Sequence, residues 1–164
     1  MKKILLSLVT LMVGLSAFAQ TEYKFNDATV WGDFTNPAAG EAAQVESGKA
    51  ITNGNLKIEV TFPEGKNGAR FFAATNDGTI NFRIYVESTV TFSTVDGSAM
   101  TTVEFSGSNL GASYLTGDGY ENSKWSGNAS SFTLKCTKST VQINSMKVYS
   151  AGEAGPTDIS NPPA

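Results

Sequence analysis

The stretch Leu56-Lys57-Ile58-Glu59-Val60-Thr61-Phe62 decides the fold class, because every second residue is apolar along its whole length. Side chains of an extended chain alternate between its two faces, so this pattern builds a strand with one buried face and one wet face. Ile80, Phe82, Ile84 and Val86 repeat it, with Asn81, Arg83 and Tyr85 between them. After residue 20, no stretch keeps apolar residues at helical spacing over three turns. The chain therefore reads as all-β.

Working outward, seven to nine strands are expected among the segments 21–26, 29–34, 44–51, 55–62, 69–75, 79–86, 88–95, 99–106, 131–136 and 139–149. Asn53-Gly54, Asp77-Gly78 and Asp96-Gly97 read as hairpin turns, because tight two-residue turns need positive φ. A two-residue turn at Asp77-Gly78 pairs Ala73 with Phe82 and Phe71 with Ile84. A turn at Thr137-Lys138 pairs Leu134 with Val141 and Phe132 with Ile143, again apolar against apolar. The parity of Val141 and Ile143 differs from that of Met146 and Val148, so a bulge is expected near Asn144-Ser145. Gly107 to Gly127 is rich in Gly, Ser and Asn and reads as one long loop, with a short strand at Ala112–Leu115. Many short antiparallel strands in one domain make a sandwich or a barrel, and a single jelly-roll-like β-sandwich is the expected architecture.

The ends of the chain differ from this. Lys2 and Lys3 precede an apolar run, Ile4 to Leu15, and the small-x-small motif Ala17-Phe18-Ala19. That is the plan of a secretory signal peptide, residues 1–19, with Gln20 as the new N-terminus. The run is shorter than the roughly 20 residues a membrane span needs. The expected organisation is therefore signal peptide 1–19, β-sandwich 20–151 and a Gly- and Pro-rich tail 152–164. Export to the periplasm or the cell exterior follows, with no membrane span in the mature chain.

Composition excludes several kinds of chemistry. Histidine is absent, which removes Ser-His-Asp and Cys-His catalysis and the commonest transition-metal ligand. The net charge is −3 and no basic run occurs, so nucleic acid is not an expected partner. Cys136 is the sole cysteine and lies on an apolar strand face, where a small core residue is expected. The loop Gly117-Asp118-Gly119-Tyr120-Glu121 has too few carboxylates for calcium and reads as a solvated turn. No metal and no cofactor are expected.

The segment Lys124-Trp125-Ser126-Gly127-Asn128-Ala129-Ser130-Ser131-Phe132-Thr133-Leu134, followed by Thr140-Val141-Gln142-Ile143-Asn144-Ser145-Met146-Lys147-Val148, resembles a closing β-hairpin motif. That motif recurs in jelly-roll-like modules of secreted proteins from Bacteroidota. The Ala-Phe-Ala-Gln end of the signal peptide is similar to theirs, and Pro156 to Pro162 resembles a linker to a further extracellular domain. The resemblance implies an architecture and no defined activity.

Three functions remain open. Trp31, Tyr114, Tyr120 and Trp125 stand beside Gly, Asn or Ser, and with Asp118, Asn122 and Asn128 they fit a non-catalytic glycan-binding module. Exposed rings stack on sugar faces while amides and carboxylates bond the hydroxyls. If the two tryptophans instead plug the ends of the sandwich, the domain is a structural, adhesion or assembly module that engages another envelope protein. A glycoside hydrolase is third and needs two carboxylates at a set spacing, for which Glu59, Glu87 and Glu104 are the candidates. Arg70 and Arg83 are the only arginines, and Arg83 is expected to face outward beside Tyr85, lining a groove or bracing the sheet.

Overall fold

The computed structural model describes residues 19–151. Residues 1–18 of the expected signal peptide and the expected tail, 152–164, lie outside the described residues. The chain runs through β1 (Ala19–Lys24), a 3-10 turn (Ala28–Trp31), β2 (Ala42–Val45), β3 (Ala50–Asn53), β4 (Leu56–Thr61), β5 (Ala69–Ala73) and β6 (Ile80–Ile84). It continues through β7 (Thr89–Thr94), β8 (Met100–Ser108), β9 (Leu115–Thr116), β10 (Tyr120–Glu121), β11 (Lys124–Ala129), β12 (Ser131–Cys136) and β13 (Val141–Ser150).

These strands form an antiparallel, jelly-roll-like β-sandwich, as the alternation predicts. One sheet has the order β10-β11-β8-β13-β6-β5-β2, with β1 also paired to β13, and the other has the order β3-β4-β7-β12-β9. Inward residues fill the space between the sheets. Two aromatic clusters dominate it: Phe25, Trp31, Phe71 and Phe82 on one side, and Phe92, Phe105, Trp125 and Phe132 on the other. Ile58, Val60, Ile84, Val90, Leu134 and Ile143 lie fully buried among them.

The expected bulge is present. Ile143 opposes Gly107 and Ser145 opposes Ser106, so Asn144 is the extra residue. Its carbonyl accepts from the Phe25 N–H at 2.9 Å. Gly107 suits this crowded spot, since a Cβ there would sit 1.9 Å from the Gln142 carbonyl oxygen.

Four expectations are corrected. Residues 29–34 form no strand. Asp27 accepts from the Thr29 N–H at 3.0 Å and from its hydroxyl at 2.6 Å, which caps a 3-10 turn instead. Residues 44–51 split into β2 and β3, one in each sheet. The Asp77-Gly78 hairpin exists, but Ala73 pairs with Ile80 and Phe71 with Phe82. The turn is two residues longer than expected, and a slip of two keeps each side chain on its face. Finally, the turns at Asp96-Gly97 and Thr137-Lys138 close no hairpin. β7 and β8 lie in different sheets, as do β12 and β13. Phe132 pairs with Phe92, and Ile143 with Phe82 and Gly107. Apolar residues face each other whether two strands are paired or stacked, so alternation alone does not tell these arrangements apart.

The long loop is more ordered than its composition suggests. β9, β10 and β11 occupy it, and β11 pairs with β8. Only Trp125 of β11 is buried, so period two leaves almost no trace there.

Candidate functional site

Both tryptophans are turned inward. Trp31 has no exposed surface and stacks on Phe25 at 4.5 Å, its indole N–H donating to the Lys24 carbonyl at 3.1 Å. Trp125 is 4% exposed and stacks on Phe132 at 4.3 Å, its N–H donating to the Asp118 carbonyl at 3.0 Å. A buried indole needs such an acceptor, and the backbone supplies it in each case. Neither ring offers a face to a sugar in this conformation.

The remaining loop residues divide. Tyr120 pairs with Trp125 across β10 and β11, and its hydroxyl donates to the Leu110 carbonyl. Burial pushes its pKa up to about 12. Tyr114 is half-buried, with the Lys138 ammonium 5.6 Å from its ring centre. Asp118, Asn122 and Asn128 are exposed. The β10–β11 hairpin thus gathers Asp118, Tyr120, Asn122 and Trp125, while Trp31 belongs to the other aromatic cluster. Beside the hairpin, Gly119, Glu121, Asn122, Lys124 and Ser126 line a shallow hollow of about 340 Å³.

The larger concavity, about 390 Å³, lies where the two sheets part between β2 and β3. Trp31 and Phe34 meet it from the 3-10 turn and the residues after it, Gln44 and Glu46 from the β2 side, and Lys49 and Thr52 from the β3 side. Asp33 completes its polar rim. Phe34 is half-buried and packs edge-on against Phe71 at 5.3 Å. Glu46 and Lys49 pair at 2.7 Å. Sequence reasoning placed Trp31 near a site but missed this cleft, because its walls come from two strands read as one.

The three candidate acids do not converge. Glu59 lies in β4 of one sheet and Glu104 in β8 of the other. Glu104 stands between Lys124 and Lys147 in its row and accepts from the Tyr149 hydroxyl at 3.2 Å. Glu87 sits in a loop and pairs with Lys66 at 3.3 Å. Asp27, Asp77 and Asp96 are each held below the usual carboxylate range, chiefly by hydrogen bonds from Thr29, Thr79 and Ser98. That is the opposite of what a general acid requires.

Among the described residues, no group of three or more acids or thiols is placed to hold a metal ion, and no helix is long and apolar enough to cross a membrane. Cys136 is buried, and burial pushes its thiol pKa up. No family model, curated protein or solved structure matches this chain.

Proposed function

We propose that this chain is an exported, non-catalytic carbohydrate-binding module that takes its ligand in the cleft between β2 and β3. The observation that supports this reading is the lining of that cleft. Asp33, Gln44, Glu46, Lys49 and Thr52 line it together with the half-buried Phe34, in a volume within the usual range for small-ligand sites. Planar polar groups hydrogen-bond sugar hydroxyls, and Phe34 gives the apolar face of a pyranose a surface. Trp31, with no exposed surface, is not the stacking ring.

The test is calorimetric titration of the protein with a panel of neutral oligosaccharides, alongside Asp33→Ala and Phe34→Ala. A saccharide that binds the wild type and loses roughly tenfold in affinity with either substitution supports the cleft; tenfold is about 1.4 kcal/mol. A saccharide bound equally well by both variants removes the cleft from consideration.

A structural or assembly module of the cell envelope is the second reading. What favours it is the sealing of both tryptophans in the core. It is the better reading if no saccharide in the panel binds.

A further inference from the structure

Arg70 and Arg83 are the only arginines in the chain, and they are cross-strand partners on the outer face of the first sheet. Like charges directly opposite each other destabilise a sheet. Here the row around them supplies no carboxylate: Gln44 stands opposite Arg70 on one side, and Gln142 opposite Arg83 on the other. Neither guanidinium belongs to an ion pair among the described residues. Arg83 lies 3.7 Å above the Phe72 ring and Arg70 lies 4.6 Å from the Tyr85 ring centre. Arg83 Nε donates to the Asn81 side-chain oxygen at 3.1 Å, and Arg70 donates to that of Asn67. Each guanidinium carries five N–H donors, so most of the two forks remains unused. Arg70 Nε is buried without a partner.

Each guanidinium is centred over a ring, with the Nε of Arg70 buried and that of Arg83 bonded to Asn81, so the terminal Nη edge is what remains for a carboxylate, which an arginine binds through two parallel hydrogen bonds. Two such edges diverging on one face suit a polymer with repeated charges better than a single small anion. We infer that this face of the β2–β5–β6–β13 sheet binds a carboxylate-bearing polysaccharide, with Arg70 and Arg83 each engaging one uronate group. The inference is independent of the cleft, although Gln44 borders both surfaces.

Because the chain holds two arginines, the guanidinium Nε–H region of a nitrogen-15 spectrum contains two signals, readable in the wild-type protein. Both should move on titration with polygalacturonate and stay in place with neutral dextran. The shifts should fade in about 0.5 M NaCl, which screens exposed charges. The double variant R70Q/R83Q should lose roughly tenfold or more in affinity, since both charge-assisted pairs are gone. Unmoved arginine signals, shifts with dextran sulfate alone, or unchanged affinity in the double variant would each overturn the assignment. If the double variant fails to fold, the wild-type spectrum still decides. Neutral saccharides bound in the cleft leave the arginine signals unmoved, so the two readings fail separately.

Discussion

Arg70 and Arg83 face each other across β5 and β6, and each turns away to cover an aromatic ring standing diagonally opposite, Tyr85 just past β6 for Arg70 and Phe72 on β5 for Arg83. Diagonal neighbours two residues along are within reach of long side chains, and this exchange separates the two charges while burying two ring faces. The aromatic residues therefore do more than fill the outer face: they make an otherwise repulsive register tolerable.

That account predicts measurable coupling. In a double-mutant cycle of R83Q and F72L, followed by urea unfolding, the coupling energy should be about 0.5–1 kcal/mol. Additive effects of the two substitutions would mean that Arg83 is held by Asn81 alone.

Trp125 should be among the costliest side chains to truncate. It stacks on Phe132, and it lies over Gly127 and beside Gly119, which has φ +76° and where a Cβ would meet the Ser126 carbonyl at 2.4 Å. Trp125→Ala should destabilise by about 3–5 kcal/mol, the usual cost of a large aromatic lost from a core. Trp125→Phe keeps the stack and loses the bond to the Asp118 carbonyl, a cost of about 1 kcal/mol. Thermal melts of both variants check this. If Trp125→Ala melts within a few degrees of the wild type, the ring contributes little to the core.

How much of this was legible beforehand depends on what alternation encodes. Period two at Leu56–Phe62 and at Ile80–Ile84 reports that one face is buried, and both segments are strands with that face inward. The parity break before Met146 reports an extra residue, and Asn144 is that residue. Alternation carries no information about which sheet a strand joins. Phe132 and Leu134 match Val141 and Ile143 equally well as neighbours or across the core, so the apparent closing hairpin is in fact a crossing between sheets. The loop tryptophans misled for a related reason. Gly119 and Gly127 near Trp125 mark a tight approach of backbone to ring, not exposure of the ring.

Alkaline pH should unfold the protein through Tyr120. The phenol keeps its proton up to about pH 12 in the folded chain, against 10.0 for an ordinary tyrosine. Below pH 10 the phenol is neutral in both states, and its contribution to stability is fully present. Above that, only the unfolded chain releases the proton, so stability falls as pH rises towards 12. Tyr120→Phe should cost about 1 kcal/mol at neutral pH, because the Leu110 carbonyl loses its donor. It should also make the alkaline decline shallower. Some decline will remain, since burial raises the pKa of Tyr23 as well. A variant with the wild-type alkaline profile would show that Tyr120 does not govern it.

The separation of β12 from β13 can be tested by crosslinking. Thr133 stands opposite Thr91 on β7, with their hydroxyl oxygens 3.0 Å apart on the outer face of the smaller sheet. In the hairpin that alternation suggests, Thr133 would instead oppose Gln142. Directly opposed strand residues have Cα atoms about 4.5–5.5 Å apart, within the range a disulfide spans. Thr91→Cys with Thr133→Cys should therefore oxidise to a crosslink under mild conditions, and Thr133→Cys with Gln142→Cys should not. Native Cys136 is buried, with its thiol pKa raised, so it competes poorly in either variant. The readout is a shift in electrophoretic mobility on reduction, confirmed by mass spectrometry of the linked peptides. Efficient crosslinking of the second pair instead of the first would place β12 and β13 in one sheet.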